Sequence, residues 1–310
     1  MIRIFKTEDG TIHEKQEMQP GSWIALTNPT ASEIIDVADA CRIDPDHLKA
    51  PLDEEERSRI EAEDEYTLIL VDIPSIEERN GKDWFVTIPM AIITTRDVLI
   101  TVCLEETPIL SAFMDGRVRD FHTFMKTRFI LQILYKNATQ YLQYLRIIDK
   151  KSEVIENKLH QAQKNEELIE LLELQKSLVY FTTSLRSNEV VLERLLKLDK
   201  IKKYPEDTDL LEDVIIENKQ AMEMTSIYNG ILSGTMDTFA SVISNNLNIV
   251  MKFLAIVLSI PTMVASFYGM NVLPKGMPFA DSPYGFWIVL GFAVALSLIV
   301  AYIFNKKDLF

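Results

Sequence analysis

Ile249-Val250-Met251-Lys252-Phe253-Leu254-Ala255-Ile256-Val257-Leu258-Ser259-Ile260-Pro261-Thr262-Met263-Val264-Ala265-Ser266-Phe267-Tyr268 is a run of twenty residues with one charge, Lys252. A second run, Tyr284 to Phe304, has twenty-one residues and no charge. A helix needs about 20 such residues to cross a ~30 Å hydrocarbon layer. Both runs reach that length, and soluble core helices rarely go so far without polar interruption. Pro261 within the first run is better tolerated in lipid than in water. Phe267 and Tyr268 close the first run, and Tyr284, Phe286 and Trp287 open the second, as aromatic belts do at membrane interfaces.

The segment between the runs, Asn271 to Pro283, is rich in glycine and proline and reads as a tight loop on one side of the membrane. Both chain ends then share the other side. Lys306 and Lys307 follow the second run and Lys252 opens the first, so the positive-inside bias puts the termini in the cytoplasm of a plasma membrane. Met1-Ile2-Arg3-Ile4-Phe5 runs into a charged segment without a leader pattern.

Charge is partitioned in the same way. Of the formal net charge of -14, residues 248–304 and the tail 305–310 contribute +1 each, so residues 1–247 hold -16. An acidic body argues against nucleic-acid binding, which needs a basic face. With 47% hydrophobic and 25% charged residues the chain is neither disordered nor fibrous. Two cysteines, Cys41 and Cys103, exclude a disulfide scaffold and read as reduced thiols.

Three zones precede the membrane. Trp23–Leu26, Tyr66–Ile73, Trp84–Ile93 and Val98–Cys103 are β-branched, aromatic-rich runs expected as strands. Ser32–Cys41 is expected as a helix capped by Thr30 or Ser32, so residues 1–115 form an α/β domain. Residues 116–205 carry helical spacing at Ile130, Ile133, Leu134, Ala138, Tyr141, Leu142 and Leu145, and again from Leu168 to Val190. They read as a helical hairpin turning at Lys164-Asn165. From about Asp207 the pattern runs unbroken into the first span. Residues 206–248 are a stalk, and one helix to Tyr268 would be roughly 90 Å long at ~1.5 Å per residue. Gly230 and Gly234 could loosen it. The fold class is an α+β/α membrane protein, closed by residues 249–310: a span at 249–269, a loop at 270–283, a span at 284–304 and a basic tail.

Wound at 100° per residue, Asn245, Asn248, Met251, Ala255, Ser259, Thr262, Ser266 and Gly269 fall within about a third of the circle. A polar and small stripe on a membrane helix serves close packing or a water-filled path. Amides and hydroxyls recurring along the stripe favour the path. No acid occurs between Asp237 and Asp281. A bare divalent ion would want carboxylates, but hydrated Mg²⁺ keeps its waters, and those waters can donate to amide and hydroxyl oxygens. Two helices cannot enclose a pore, so the path requires an oligomer. Lys252 lies at the edge of the arc, where its stem can snorkel to the surface.

Tyr268-Gly269-Met270-Asn271, after a proline-containing span and before a short loop and a second span, resembles the signature of the CorA family of magnesium transporters. Ser244 to Lys252 resembles the start of that family's pore helix, Pro261-Thr262 its mid-span motif, and Lys306-Lys307 its basic tail. The resemblance implies a homopentamer with a funnel-shaped cytoplasmic part. It implies an outer mouth at Gly269, Met270 and Asn271, with Asn271 touching the hydrated ion, and a pore lined below by Thr262, Met251, Asn248 and Asn245. Winding adds Ser259 and Ser266. The implied cargo is Mg²⁺, with Co²⁺ and Ni²⁺ as further candidates. A zinc transporter of the same architecture and a membrane-anchored scaffold without flux are the alternatives.

The sequence departs from the family pattern in three places. The stretch from Met251 to Asn271 is about three residues shorter, which is not a whole turn of 3.6. Met277-Pro278-Phe279-Ala280 stands where many members have Met-Pro-Glu, so an outer acidic ring is missing unless Asp281 replaces it. After Asp44-Pro45-Asp46-His47-Leu48, Lys49-Ala50 stands where many members have the Glu-Asp pair of a regulatory metal site.

Other acids could sense cytoplasmic cation. Residues 53–65 hold Asp53, Glu54, Glu55, Glu56, Glu61, Glu63, Asp64 and Glu65, and the stalk top holds Asp207, Asp209, Glu212 and Asp213. Asp213 matches the family's stalk-side acid by its spacing to Met251. Asp53, Asp209, Glu212 and Asp213 are the candidate regulatory ligands; for 53–65 a solvated face is the plainer reading. No phosphate-binding G-x-x-x-x-G-K-[ST] loop occurs, so ATP drive is not expected. His13, His47, His122 and His160 are scattered without ligand partners at useful spacing. Neither an enzyme nor a resident cofactor is expected.

Overall fold

The computed structural model describes residues 1–79, 81–162, 165–198, 205–271, 276–279 and 282–306. By contact the chain divides into two units, Met1–Thr235 and Met236–Phe310. Of the divisions expected at 115, 205 and 248, the first follows the helix Pro108–Met114, the second falls at the start of the helix Pro205–Tyr268, and the third lies inside that same helix.

The first unit is built on a seven-stranded sheet in the order β2-β1-β3-β7-β6-β5-β4. Its strands are β1 (Ile2–Glu8), β2 (Thr11–Lys15), β3 (Trp23–Thr27), β4 (Arg59–Ala62), β5 (Tyr66–Arg79), β6 (Lys82–Thr95) and β7 (Leu99–Cys103). Only β3 and β7 pair in parallel, with Trp23 opposite Leu99. All five β7 residues are buried. Both sheet faces are covered there, so the strand reads as a continuous apolar run.

On one face α1 (Ala31–Cys41) and α2 (Pro45–Lys49) cover Ile24, Leu26, Leu68, Leu70, Ile93 and Ile100 through Ile34, Val37 and Leu48. Thr30 caps α1 in a capping box: the Glu33 amide donates to Thr30 Oγ1 at 3.3 Å and the Thr30 amide to Glu33 Oε2 at 2.8 Å. The opposite face carries α3 (Pro108–Met114), α4 (Lys126–Ala162), α5 (Asn165–Lys197) and the start of α6 (Pro205–Tyr268). Trp23 is the hub on that side. Its indole N–H donates to Thr101 Oγ1 at 2.9 Å, and its ring meets Phe5, Phe113, Phe121 and Phe129 at centroid distances of 5.0 to 6.5 Å.

The expected hairpin exists as α4 and α5, but it lies on the sheet: Phe129, Ile133, Val191 and Leu195 join the same core as β3, β5, β6 and β7. Lys164 of the expected turn lies outside the described residues, and α5 begins at Asn165. α6 is a single helix of 64 residues. Gly230 and Gly234 do not break it. Its first part packs on α4 and α5 through buried Leu211, Val214 and Ala221, and Asn218 Nδ2 donates to the Leu185 carbonyl at 3.1 Å. β1, β2, β4, α2 and α3 were not expected. β2 and β4 are the edge strands and β1 lies between β2 and β3; all three carry charges, and the two helices are at most seven residues long.

A polar cluster ties β5 to α4 and α5. The last β4 partner of β5 is Leu70, opposite Arg59, so the backbone of Asp72 lies beyond the end of β4. Asn188 takes that place: its Nδ2 donates to the Asp72 carbonyl at 2.7 Å and its Oδ1 accepts from the Asp72 amide at 2.9 Å. Asn137 Nδ2 and Tyr141 Oη donate to the same carbonyl at 2.9 and 3.2 Å. Burial pushes the Asp72 carboxyl above the usual carboxylate range, against smaller opposing effects from the hydroxyls of Ser184 and Ser58.

A raised folded-state pKa means that the folded chain binds more protons than the unfolded chain between the ordinary and the raised value. Stability therefore falls as pH rises through that window. Asp72→Asn should raise the apparent melting temperature at pH 7.5, with the difference shrinking as pH approaches 4. Melting the full chain in detergent across that range checks it; a difference that does not depend on pH would contradict the assignment.

Candidate functional site: a polar stripe on the membrane helix

α6 from Met236 onward and α7 (Gly285–Lys306) form the second unit. Both are long and apolar enough to cross a membrane. No α6 residue from Ile249 to Tyr268 is buried, and among the described side chains of α7, residues 285–303, only Ala293 and Ser297 are.

One face of the α6 segment meets α7. Pro261, Val264, Ala265 and Tyr268 face Val289, Leu290 and Ala293 across a cavity of about 520 Å³. Wound at 100° per residue, these α6 positions lie opposite Ser259, Thr262 and Ser266. Ser259, Thr262 and Ser266 line no part of that cavity, whereas Gly269, at the end of the stripe, does. Asn245, Asn248, Met251, Ser259, Thr262, Ser266, Gly269, Met270 and Asn271 are all exposed, Met251 to 64% of its surface.

The hydroxyls on this stripe are satisfied in one direction only. Ser259 Oγ donates to the Ile256 carbonyl at 3.1 Å, Thr262 Oγ1 to Leu258 at 2.7 Å and Ser266 Oγ to Thr262 at 2.7 Å. A hydroxyl has one proton and two lone pairs. With the proton committed to the helix, the lone pairs remain as acceptors. The stripe can therefore receive hydrogen bonds from water, including water held by a cation.

At the helix end the Gly269 amide donates to the Ala265 carbonyl at 2.9 Å and the Met270 amide to Phe267 at 3.4 Å. Tyr268 Oη donates to the Pro278 carbonyl at 2.9 Å, which fastens the helix end to the loop. Asp281 and Lys275 lie outside the described residues.

In the first unit Asp209, Glu212 and Asp213 on α6 are exposed, as is Asp53, whose Oδ1 accepts from the Glu55 amide at 3.0 Å. Asp207 differs from its neighbours: it is 4% exposed and pairs with Arg128 Nε at 3.2 Å. Its charge holds α6 to α4 and is not on offer to an ion. Burial pushes both thiols, Cys41 and Cys103, up to about 11, which removes them as nucleophiles at neutral pH.

The histidines need a correction. His47 does have partners: its Nε2 is 3.3 Å from Glu61 Oε2, and it forms with Glu61 and Glu63 a group whose ligand atoms all lie within 4.8 Å of one another. The sequence signal was the alternation Glu61-Ala62-Glu63, which runs off the end of β4 and puts two carboxylates on one side of an extended segment. Only the packing of α2 against β4 and β5 adds the imidazole.

A family model described as CorA-like Mg²⁺ transporter protein matches residues 19–307. The chain belongs to that family. The family consists of membrane ion transporters, not enzymes. Among curated relatives, a cobalt/magnesium transport protein CorA from Methanocaldococcus jannaschii is 27% identical over 297 residues, 92% of this chain and 90% of the relative. Its namesake from Thermotoga maritima is 23% identical, covering 99% of this chain and 88% of the relative. The solved complete structure of the Methanocaldococcus jannaschii CorA matches with a TM-score of 0.80 at 25% identity, over 99% of this chain and 98% of that one. The soluble sheet domain, the long helices and the two C-terminal apolar helices are those of a CorA chain.

A Cβ added at Gly285 would lie 2.4 Å from the Phe279 carbonyl oxygen, whereas one at Gly291 would meet nothing within 4 Å. Gly285→Ala should destabilise the membrane hairpin by about 1–3 kcal/mol, the usual cost of overpacking. Gly291→Ala should leave it unchanged. Thermal stability of the two purified variants in detergent, compared side by side, checks this.

Proposed function

We propose that this chain assembles as a homopentamer whose five α6 stripes line a channel for hydrated Mg²⁺. The observation that carries the reading is the orientation of the stripe: it faces away from α7 and offers lone pairs from hydroxyls whose protons are already used. In a pentamer it would face the axis, and Pro261, Val264 and Tyr268 would keep α7 on the lipid side. Gly269, Met270 and Asn271 form the outer mouth. Asn271 accepts from the ion's waters, and Thr262, Ser259, Ser266, Met251, Asn248 and Asn245 continue the path. The relatives' names, cobalt/magnesium transport proteins, support divalent cations as cargo. The termini lie in the cytoplasm, and flux follows the gradient and the membrane potential.

Gating belongs to the acidic body. Cytoplasmic Mg²⁺ bridges exposed acids between subunits, with Asp213 as the leading ligand and Glu212, Asp209 and Asp53 beside it. When the ion leaves, like charges repel and the pore opens.

Purified protein in liposomes tests the cargo, with uptake of Mg²⁺, Co²⁺, Ni²⁺ and Zn²⁺ measured in parallel. Mg²⁺ uptake is expected, and Asn271→Ala should abolish its selectivity. Uptake of Zn²⁺ alone would replace the reading with a zinc transporter. A folded pentamer passing no ion would replace it with a scaffold. Gating has its own test: Asp213→Asn should shift the internal Mg²⁺ needed for closure upward, and an unchanged Mg²⁺ dependence would remove Asp213 from the sensor.

A further inference from the structure

His47, Glu61 and Glu63 lie far in sequence from the pore and outside the acids proposed to gate it. His47 sits on α2, with its side chain 17% exposed, and Glu61 on the edge strand β4, 33% exposed. Glu63 follows β4 directly, and its amide donates to the Tyr66 carbonyl at 2.9 Å.

The imidazole is held from behind. Its Nδ1 is 2.7 Å from Tyr66 Oη, and the same phenol oxygen accepts from the Asp44 amide at 3.3 Å. Such a hydrogen bond to the rear nitrogen fixes the ring of a metal-binding histidine and sets its tautomer. The front nitrogen, Nε2, points at Glu61 Oε2 across 3.3 Å. Two ligands at Zn–N and Zn–O distances of about 2.05 Å on a tetrahedral ion are separated by ~3.3 Å. The observed separation is the bite that such an ion spans.

Arg59 leaves this bite free. It pairs with the other carboxylate oxygen, Glu61 Oε1, and with Glu56 at 2.5 Å. The ring nitrogen separates this group from the oxygen-only stripe of α6: imidazole with carboxylates suits Zn²⁺ and its neighbours, whereas Mg²⁺ takes oxygen.

We propose that His47 Nε2, Glu61 and Glu63 form a binding site for a first-row divalent transition ion such as Zn²⁺, completed by water. Bound there, the ion joins α2 to the end of β4 and closes the acid-rich segment 53–58 between them into a fixed loop. The site is independent of the pore and stands or falls apart from the transport reading.

Histidine footprinting of the full chain in detergent tests it. Diethylpyrocarbonate modifies imidazole nitrogens that carry a free lone pair, and His13 and His122 serve as controls outside the cluster. Zn²⁺ should lower the modification of His47 at least several-fold relative to both controls, and the same concentration of Mg²⁺ should not. In Glu61→Gln/Glu63→Gln the protection should vanish while circular dichroism stays unchanged. Zinc should also raise the melting temperature of the wild-type chain and not that of His47→Asn. Modification of His47 that is unaffected by Zn²⁺, equal protection by Mg²⁺, or protection that survives in the double variant would each overturn the assignment.

Discussion

A helix in hydrocarbon must satisfy its polar groups within itself, and α6 has to do so while carrying a proline and a row of hydroxyls. Pro261 brings no amide proton, so the carbonyl one turn earlier lacks its usual donor. Ser259, Thr262 and Ser266 each return their proton to a carbonyl of the same helix. That bonding makes hydroxyls tolerable in an apolar layer. It also decides what they can do outward, because a hydroxyl that has spent its proton can only accept. The hydrogen bonds that meet the lipid constraint are thus the same ones that leave the hydroxyl oxygens as acceptors.

The distribution of charge follows the same logic. Between Asp237 and Asp281 the chain has no acid, so nothing on the stripe competes with water for an ion's inner shell. Stripping Mg²⁺ would demand carboxylates at short range, and carboxylates in a low-dielectric layer would bind it too firmly to release. Acceptors of modest strength, the amides of Asn245 and Asn248 and the hydroxyls of Ser259, Thr262 and Ser266, would avoid both difficulties. All but a few of the acids sit on the first unit, where water screens them; of the -16 held by residues 1–247, only Asp237 lies beyond that unit.

The legibility of the sequence tracked how many faces of an element are buried. β3, β5, β6 and β7 are central strands, and their unbroken apolar runs were readable. β2 and β4 are edge strands and β1 lies beside β2; all three carry charges, and their pairing is a property of the sheet, not of the strand. The spans and the stripe were readable because lipid imposes length and winding imposes phase. The packing of α4 and α5 onto the sheet was not, since a helical pattern gives the apolar stripe but not what covers it. Asp207 illustrates the remaining gap. It looked equivalent to Asp209 and Asp213, yet it lies about 200° and 240° of winding away from them, faces Arg128 and is buried.

The group at His47 escaped for a related reason. Fourteen positions separate it from Glu61, and no periodicity spans that distance. Three separate local choices converge on it: the Asp44 cap that starts α2, the β4–β5 pairing that sets Glu61 opposite Leu68, and Tyr66, which holds the ring. Each has a structural purpose of its own, and a ligand triangle is their joint product. Its chemistry is also the complement of the stripe's. An ion that prefers imidazole gains little from amides and hydroxyls, and hydrated Mg²⁺ gains little from a single ring nitrogen. Of the proposed cargo ions, Mg²⁺ would therefore not saturate the proposed His47 site.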